Sequence, residues 1–160
     1  MTNINQIFNE QVVVTNNPSI TQDTSVNAIA LEGSTITYTP YENSDYVVYE
    51  YDFQSSFVSI GSNNSCILHG RLQEYNGSSW VDMSNTGFTH YSEADSSAYP
   101  ITYRIILDSW SGSKQIRLAL KGWTTDVFRG YTAHNAYYGA TDDSARKSQA
   151  VLSVYSIINE

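Results

Sequence analysis

The sequence holds a single cysteine, Cys66, which excludes an intrachain disulfide and with it the stapled class of small secreted domains. It is also poor in charge. Asp, Glu, Lys and Arg make up 15% of the residues, well under the roughly one quarter typical of globular domains. Eight basic residues face sixteen acidic ones, for a net charge of −8, and Arg146-Lys147 is the only adjacent basic pair. A nucleic-acid groove needs clustered Lys and Arg, so no nucleic-acid partner is expected. No basic-plus-apolar segment resembling a signal peptide opens the sequence, and no apolar run approaches membrane-spanning length. The expectation is a chain without a membrane partner, made in a reducing cytoplasm or reaching its destination with no secretion signal of its own.

What replaces charge is uncharged polarity. Ser, Thr and Asn together account for 49 of the 160 residues. Such side chains satisfy local backbone groups at β-edges and turns and are poor material for helix interiors. Thirteen residues are Tyr, which favours pleated surfaces and interfaces because one end is apolar and the other hydrogen-bonds. The length suits one domain with a proper core.

Residues 1–25 read as an extended N-terminal arm with one strand around 11–15, ended by Asn16-Asn17-Pro18. A sandwich domain over 26–160 follows. Ile29 and Leu31 alternate with small neighbours, and Thr35–Thr39 alternates strictly before Pro40. In the run 46–53, Val47, Tyr49, Tyr51 and Phe53 share one face, and Val48, Glu50 and Asp52 the other. A short run at 57–60 leads into a loop. The segment 66–75 is a strand, and Asn76-Gly77 before Trp80 predicts a hairpin with a type I′ turn. Residues 84–98 read as a polar loop, 101–108 and 115–121 as strands, and 123–148 as a long connection of possible function. The closing run 151–158 is apolar on both faces, which suits a central or interface strand. About eight strands without crossover helices predict an all-β antiparallel sandwich of jelly-roll type.

No constellation for chemistry emerges, so an enzyme is not expected. His69, His90 and His134 stand at no ligand spacing from one another, and with one cysteine a zinc site lacks support. Asp126 with Asp142-Asp143 could in principle hold calcium, but no loop with ligand spacing surrounds them, and an exposed acidic turn is the better reading. No metal and no cofactor is expected. Aromatic side chains in the long connection, Trp123, Tyr131, Tyr137 and Tyr138, form a candidate ligand or partner loop. Such rings stack on sugars or anchor protein interfaces; packing onto the chain's own sandwich is the plainer alternative.

The run Gly33-Ser34-Thr35-Ile36-Thr37-Tyr38-Thr39-Pro40, followed by Val47-Val48-Tyr49-Glu50-Tyr51-Asp52-Phe53, resembles a pattern of small bacteriophage virion proteins. The likeness is to capsid decoration (cement) or tail-fibre-associated jelly-roll domains of the tumour-necrosis-factor and C1q type, from phages of marine cyanobacteria. It extends loosely over about residues 25–125. It implies a virion protein, assembled in the host cytoplasm, that associates as a homotrimer and binds the major capsid protein or another virion protein. Tyr49, Tyr51 and Phe53 are then the candidate trimer contacts, and Ile7, Phe8 and Val13 of the arm the candidate capsid contacts. The alternative is a tail-fibre tip recognising host glycans. A chain of this length without a shaft or coiled-coil stalk favours decoration.

Overall fold

The alternating pattern becomes two antiparallel sheets packed face to face. The computed structural model describes residues 6–16, 28–59, 66–92, 98–122, 129–133 and 149–159. Within them lie eleven strands and no helix: β1 (Gln6–Thr15), β2 (Ile29–Ala30), β3 (Ile36–Tyr38), β4 (Tyr46–Ser59), β5 (Cys66–Tyr75), β6 (Trp80–Asp82), β7 (Phe88–Ser92), β8 (Ala98–Asp108), β9 (Lys114–Gly122), β10 (Arg129–Ala133) and β11 (Ala150–Ile158).

Pairing is nested about the β5–β6 connection. β5 pairs with β6 and β7, β4 with β8, β9 with both β2 and β3, and β1 with β11. The first sheet runs β1-β11-β4-β8, with β10 continuing the line of β11 along the far half of β4. In the second sheet β9 and β5 are central, flanked by the β2/β3 and the β6/β7 edges.

The core is made by the inward faces the sequence pattern marks. Val47, Tyr49, Tyr51, Phe53, Tyr103, Leu152 and Val154 from the first sheet meet Tyr38, Leu68, Leu72, Ile116, Leu118 and Leu120 from the second. Side chains of period two, apolar on one face, can bury only in this way. Gly70 stands where a β-carbon would come within 2.0 Å of the Phe88 ring, so its small size lets that ring enter the core.

Tyrosine hydroxyls tie the two sheets together. From the first sheet, Tyr49 donates to the Ser34 carbonyl at 2.6 Å and Tyr51 to the Glu32 carbonyl at 2.5 Å, both in the β2–β3 turn. Tyr103 donates to the Thr86 carbonyl at 2.6 Å. From the second sheet, Tyr38 donates to the Asn9 carbonyl at 3.0 Å and lies 2.8 Å from Ser156 Oγ. With that phenol proton committed to Asn9, Ser156 donates to Tyr38, and Ser156 Oγ in turn accepts from the Tyr41 amide at 2.9 Å. Each of these hydroxyls therefore has a partner, as burial demands.

Several expected boundaries move. The run at 46–53 continues unbroken to Ser59, and the strand expected at 11–15 begins at Gln6. Its register on β11 slips between Phe8 and Gln11, where Asn9 at φ 50° forms a bulge that the alternation conceals. The stretch 84–98 is not a loop throughout: Phe88–Ser92 forms β7, so His90 lies on a strand. Likewise β10 falls inside the 123–148 connection. The Asn76-Gly77 hairpin is present, but the turn is not type I′. Tyr75 pairs with Trp80, leaving a four-residue loop in which Gly77 has φ 96° and Asn76 is not in the positive-φ region. Asn76 Oδ1 instead accepts from the amides of Ser78 and Ser79 at 3.0 and 2.9 Å, a side-chain-built turn.

Candidate binding surfaces

Register places the outward residues of the first sheet in rows. Ile7, Ile157 and Tyr46 form one row with Asp108; Tyr155, Val48 and Ile106 form the next; Val12, Ser153, Glu50 and Arg104 the third; Val14, Val151, Asp52 and Thr102 the fourth. Large apolar side chains therefore stand on a face that looks away from the core. Ile7, Val12, Val14 and Ile106 are 56, 54, 48 and 59% exposed. Val48, on the same face, is fully buried. The Arg104 guanidinium crosses β4 beside it, 3.3 Å from Glu50 and donating to the Tyr155 hydroxyl at 3.1 Å.

The outward face of the second sheet has the opposite character. Arg71 pairs with Asp82 at 2.9 Å, while the Lys114–Glu74 pair, at 2.8 Å, lies on the inward rows beyond Leu72 and Ile116, at the end of the sandwich. Gln73 donates to Asp82 and accepts from Arg117, whose guanidinium lies 4.0 Å over the Trp80 ring. Partial burial there lowers the pKa of Arg117, far from a range where it would lose its charge. This face is built for water.

A surface cleft of 490 Å³ opens between the 39–44 and 109–112 turns at one end of the sandwich. Tyr41, 45% exposed, is backed on one side by Phe8 at 4.5 Å, nearly parallel. Trp110 lies edge-on to Tyr38, with the Lys114 ammonium 5.5 Å from its ring centre. Glu42, Asn43 and the hydrogen-bonded hydroxyls of Ser44 and Ser109 complete the wall. The arrangement offers one aromatic platform and several neutral hydrogen-bonding groups.

The residues singled out from sequence fall in three places. Tyr49, Tyr51 and Phe53 are 0, 0 and 3% exposed within the single chain. This corrects their assignment as trimer contacts: they share the inward face of β4 and are spent on the core, so a homotrimer has none of the contacts given to it. Of the arm residues, Phe8 points inward, is half-buried and makes an intrachain stack on Tyr41. Ile7 and Val13 keep exposed surface, the latter 36%. Tyr131 lies on β10 opposite Phe57. Trp123, Tyr137 and Tyr138, with Asp126 and Asp142-Asp143, lie outside the described residues.

Among the described residues no three His, Cys, Asp or Glu side chains gather as a metal site would require. His69 is a cross-strand partner, its Nδ1 3.0 Å from Thr89 Oγ1. No described helix is long and apolar enough to cross a membrane. The strongest pKa displacements belong to core tyrosines. Burial raises Tyr49 well above the ordinary value and raises Tyr38, Tyr51 and Tyr103 as well. Those shifts describe structural donors held neutral. No family model matches the chain, and no curated protein does. What it does is therefore argued from its surfaces. Sequence reasoning missed the apolar outer face because Ile106, Val12 and Ile7 come to one face only when β8, β4, β11 and β1 are laid side by side.

Proposed function

We propose that this chain is a non-enzymatic structural component of a larger particle and, given the virion resemblance of residues 33–53, a capsid decoration protein on the outer shell. The observation that carries the reading is the contrast between the two outward faces. One presents Ile7, Val12, Val14 and Ile106 at 48–59% exposure around a single ion pair, Glu50–Arg104, while the other carries the Arg71–Asp82 pair and the Gln73–Arg117–Trp80 array and, among the described residues, no comparable group of aliphatic side chains. An apolar sheet face of this kind is normally covered by another protein. The nested strand pairing is in keeping with a jelly-roll path, an architecture used by viral capsid and lectin domains. On this reading the first sheet lies against the major capsid protein and the second faces solvent.

Quantitative protein analysis of purified particles tests it. Decoration requires the chain in proportion to the major shell protein and its loss from particles in an Ile106→Asp variant that still folds. Absence from particles would overturn the reading. The end cleft favours a second reading, a receptor-binding tip that takes host glycans on Tyr41. A copy number in proportion to tail fibres, with glycan binding lost in Tyr41→Ala, would select it.

A further inference from the structure

Every sheet edge exposes backbone groups that can pair with another strand, and proteins blunt such edges with short strands, Pro, charge or bulges. Four of the five edges among the described residues are blunted, that of β10 by its length of five residues. The β2/β3 edge is broken into pieces of two and three residues, and the β6/β7 edge into three and five. The β8 edge carries Pro100, with Arg104 and Asp108 further along. β1 is different. Its bulge and its one charge, Glu10, lie in its first half, and Gln11–Thr15 is regular and uncharged, with three consecutive valines between Gln11 and Thr15. Among the described residues no strand pairs with its outer edge.

We propose that this edge pairs with the same edge of a second copy, antiparallel and centred on Val13. In that register Val12 faces the partner's Val14, Val13 faces the partner's Val13, and Gln11 faces the partner's Thr15. Opposed residues of antiparallel strands project to the same side. The outward Val12 of one copy thus packs on the outward Val14 of the other, at positions now 54 and 48% exposed. Self-complementarity points to a second copy as the occupant: about Val13 the stretch sets valine on valine three times and Gln11 on Thr15, so each strand offers the other the partner it needs. A chain of net charge −8 repels itself, and this stretch brings two copies together with no charged pair opposed. Each Glu10 falls opposite the partner's Asn16 rather than another carboxylate. The first sheets then join as β8-β4-β11-β1 running into β1-β11-β4-β8, and their apolar outer faces become continuous. The pairing does not depend on the virion reading.

The register gives a specific test by light scattering and sedimentation of the full chain over a concentration series. Wild type should sediment at twice the 17.9 kDa chain mass. The double variant Val12→Lys, Val14→Lys sets like charges opposite each other twice, and its dimer dissociation constant should rise about tenfold or more. The variant Val12→Lys, Val14→Glu keeps the net charge of wild type and opposes Lys to Glu across the interface, so it should restore the dimer. Circular dichroism should show the same strand content in all three. A monomeric or trimeric wild type overturns the proposal. So does a dimer that survives the two lysines, or one that the Lys–Glu combination fails to restore.

Discussion

At the scale of single residues the tyrosines explain the composition. Four of the thirteen span the sandwich and deliver a hydroxyl to a backbone carbonyl, a role that Phe cannot fill and Ser cannot reach. Tyr49 is fully buried, with its hydroxyl 2.6 Å from the Ser34 carbonyl. Tyr49→Phe keeps the ring and leaves that carbonyl short of a donor in the core. It should cost about 1–3 kcal/mol in urea unfolding, whereas Tyr75→Phe, 42% exposed, should change nothing measurable. Equal effects from the two would show that the tie contributes no stability. Ser156→Ala should cost at least as much as Tyr49→Phe. It removes the acceptor for the Tyr41 amide and the donor to Tyr38 together, loosening β1, β3 and the 39–45 turn at once.

Among the elements, the β5–β6 hairpin separates what a pattern can and cannot specify. Asn-Gly between alternating runs announced the hairpin, and Leu68 and Leu72, two turns of the alternation apart, share the inward face of β5. The turn itself depends on how many residues the register leaves over, and local sequence does not encode that. Four are left, and Asn76 serves through its side chain rather than through positive φ. Asn76→Ala should therefore destabilise by about 1 kcal/mol, read as a fall of about 2–4 °C in melting midpoint. Asn76→Asp, which retains the acceptor oxygen, should recover most of it. In a type I′ turn the left-handed backbone would matter instead, and Asn76→Gly, which carries no acceptor, would recover stability as well as Asp does. The same limit hid the strand at 88–92. Phe88 and Thr89-His90-Tyr91 alternate over too few residues to stand out from a polar loop, and they become a strand because β5 offers an edge from Cys66 to Gly70. The inward face of β4 was legible, yet its use was not. Burial of Tyr49, Tyr51 and Phe53 against another copy and burial against the second sheet leave the same trace in sequence.

For the molecule as a whole, the tyrosine ties set the conditions under which the two sheets stay together. Burial raises the pKa of Tyr38, Tyr49, Tyr51 and Tyr103. In the unfolded chain these phenols ionise near the ordinary value of about 10, while in the folded chain they hold their protons to higher pH. The unfolded state thus binds fewer protons once pH passes that value, and stability falls with pH from there. Below it the stabilisation from the four hydroxyls is fully present; it is lost as pH rises through the interval up to their raised folded values. Ionising any of them would also set a phenolate against the carbonyl or hydroxyl oxygen it now serves, in a chain that already carries a net charge of −8. The melting midpoint should therefore be flat up to about pH 9 and drop steeply above about pH 10. Loss of strand signal should coincide with a cooperative rise in tyrosinate absorbance that exceeds the share of exposed rings such as Tyr41 and Tyr75. Smooth, non-cooperative ionisation of all the tyrosines with the midpoint unchanged would mean that the phenols are not what bolts one sheet to the other.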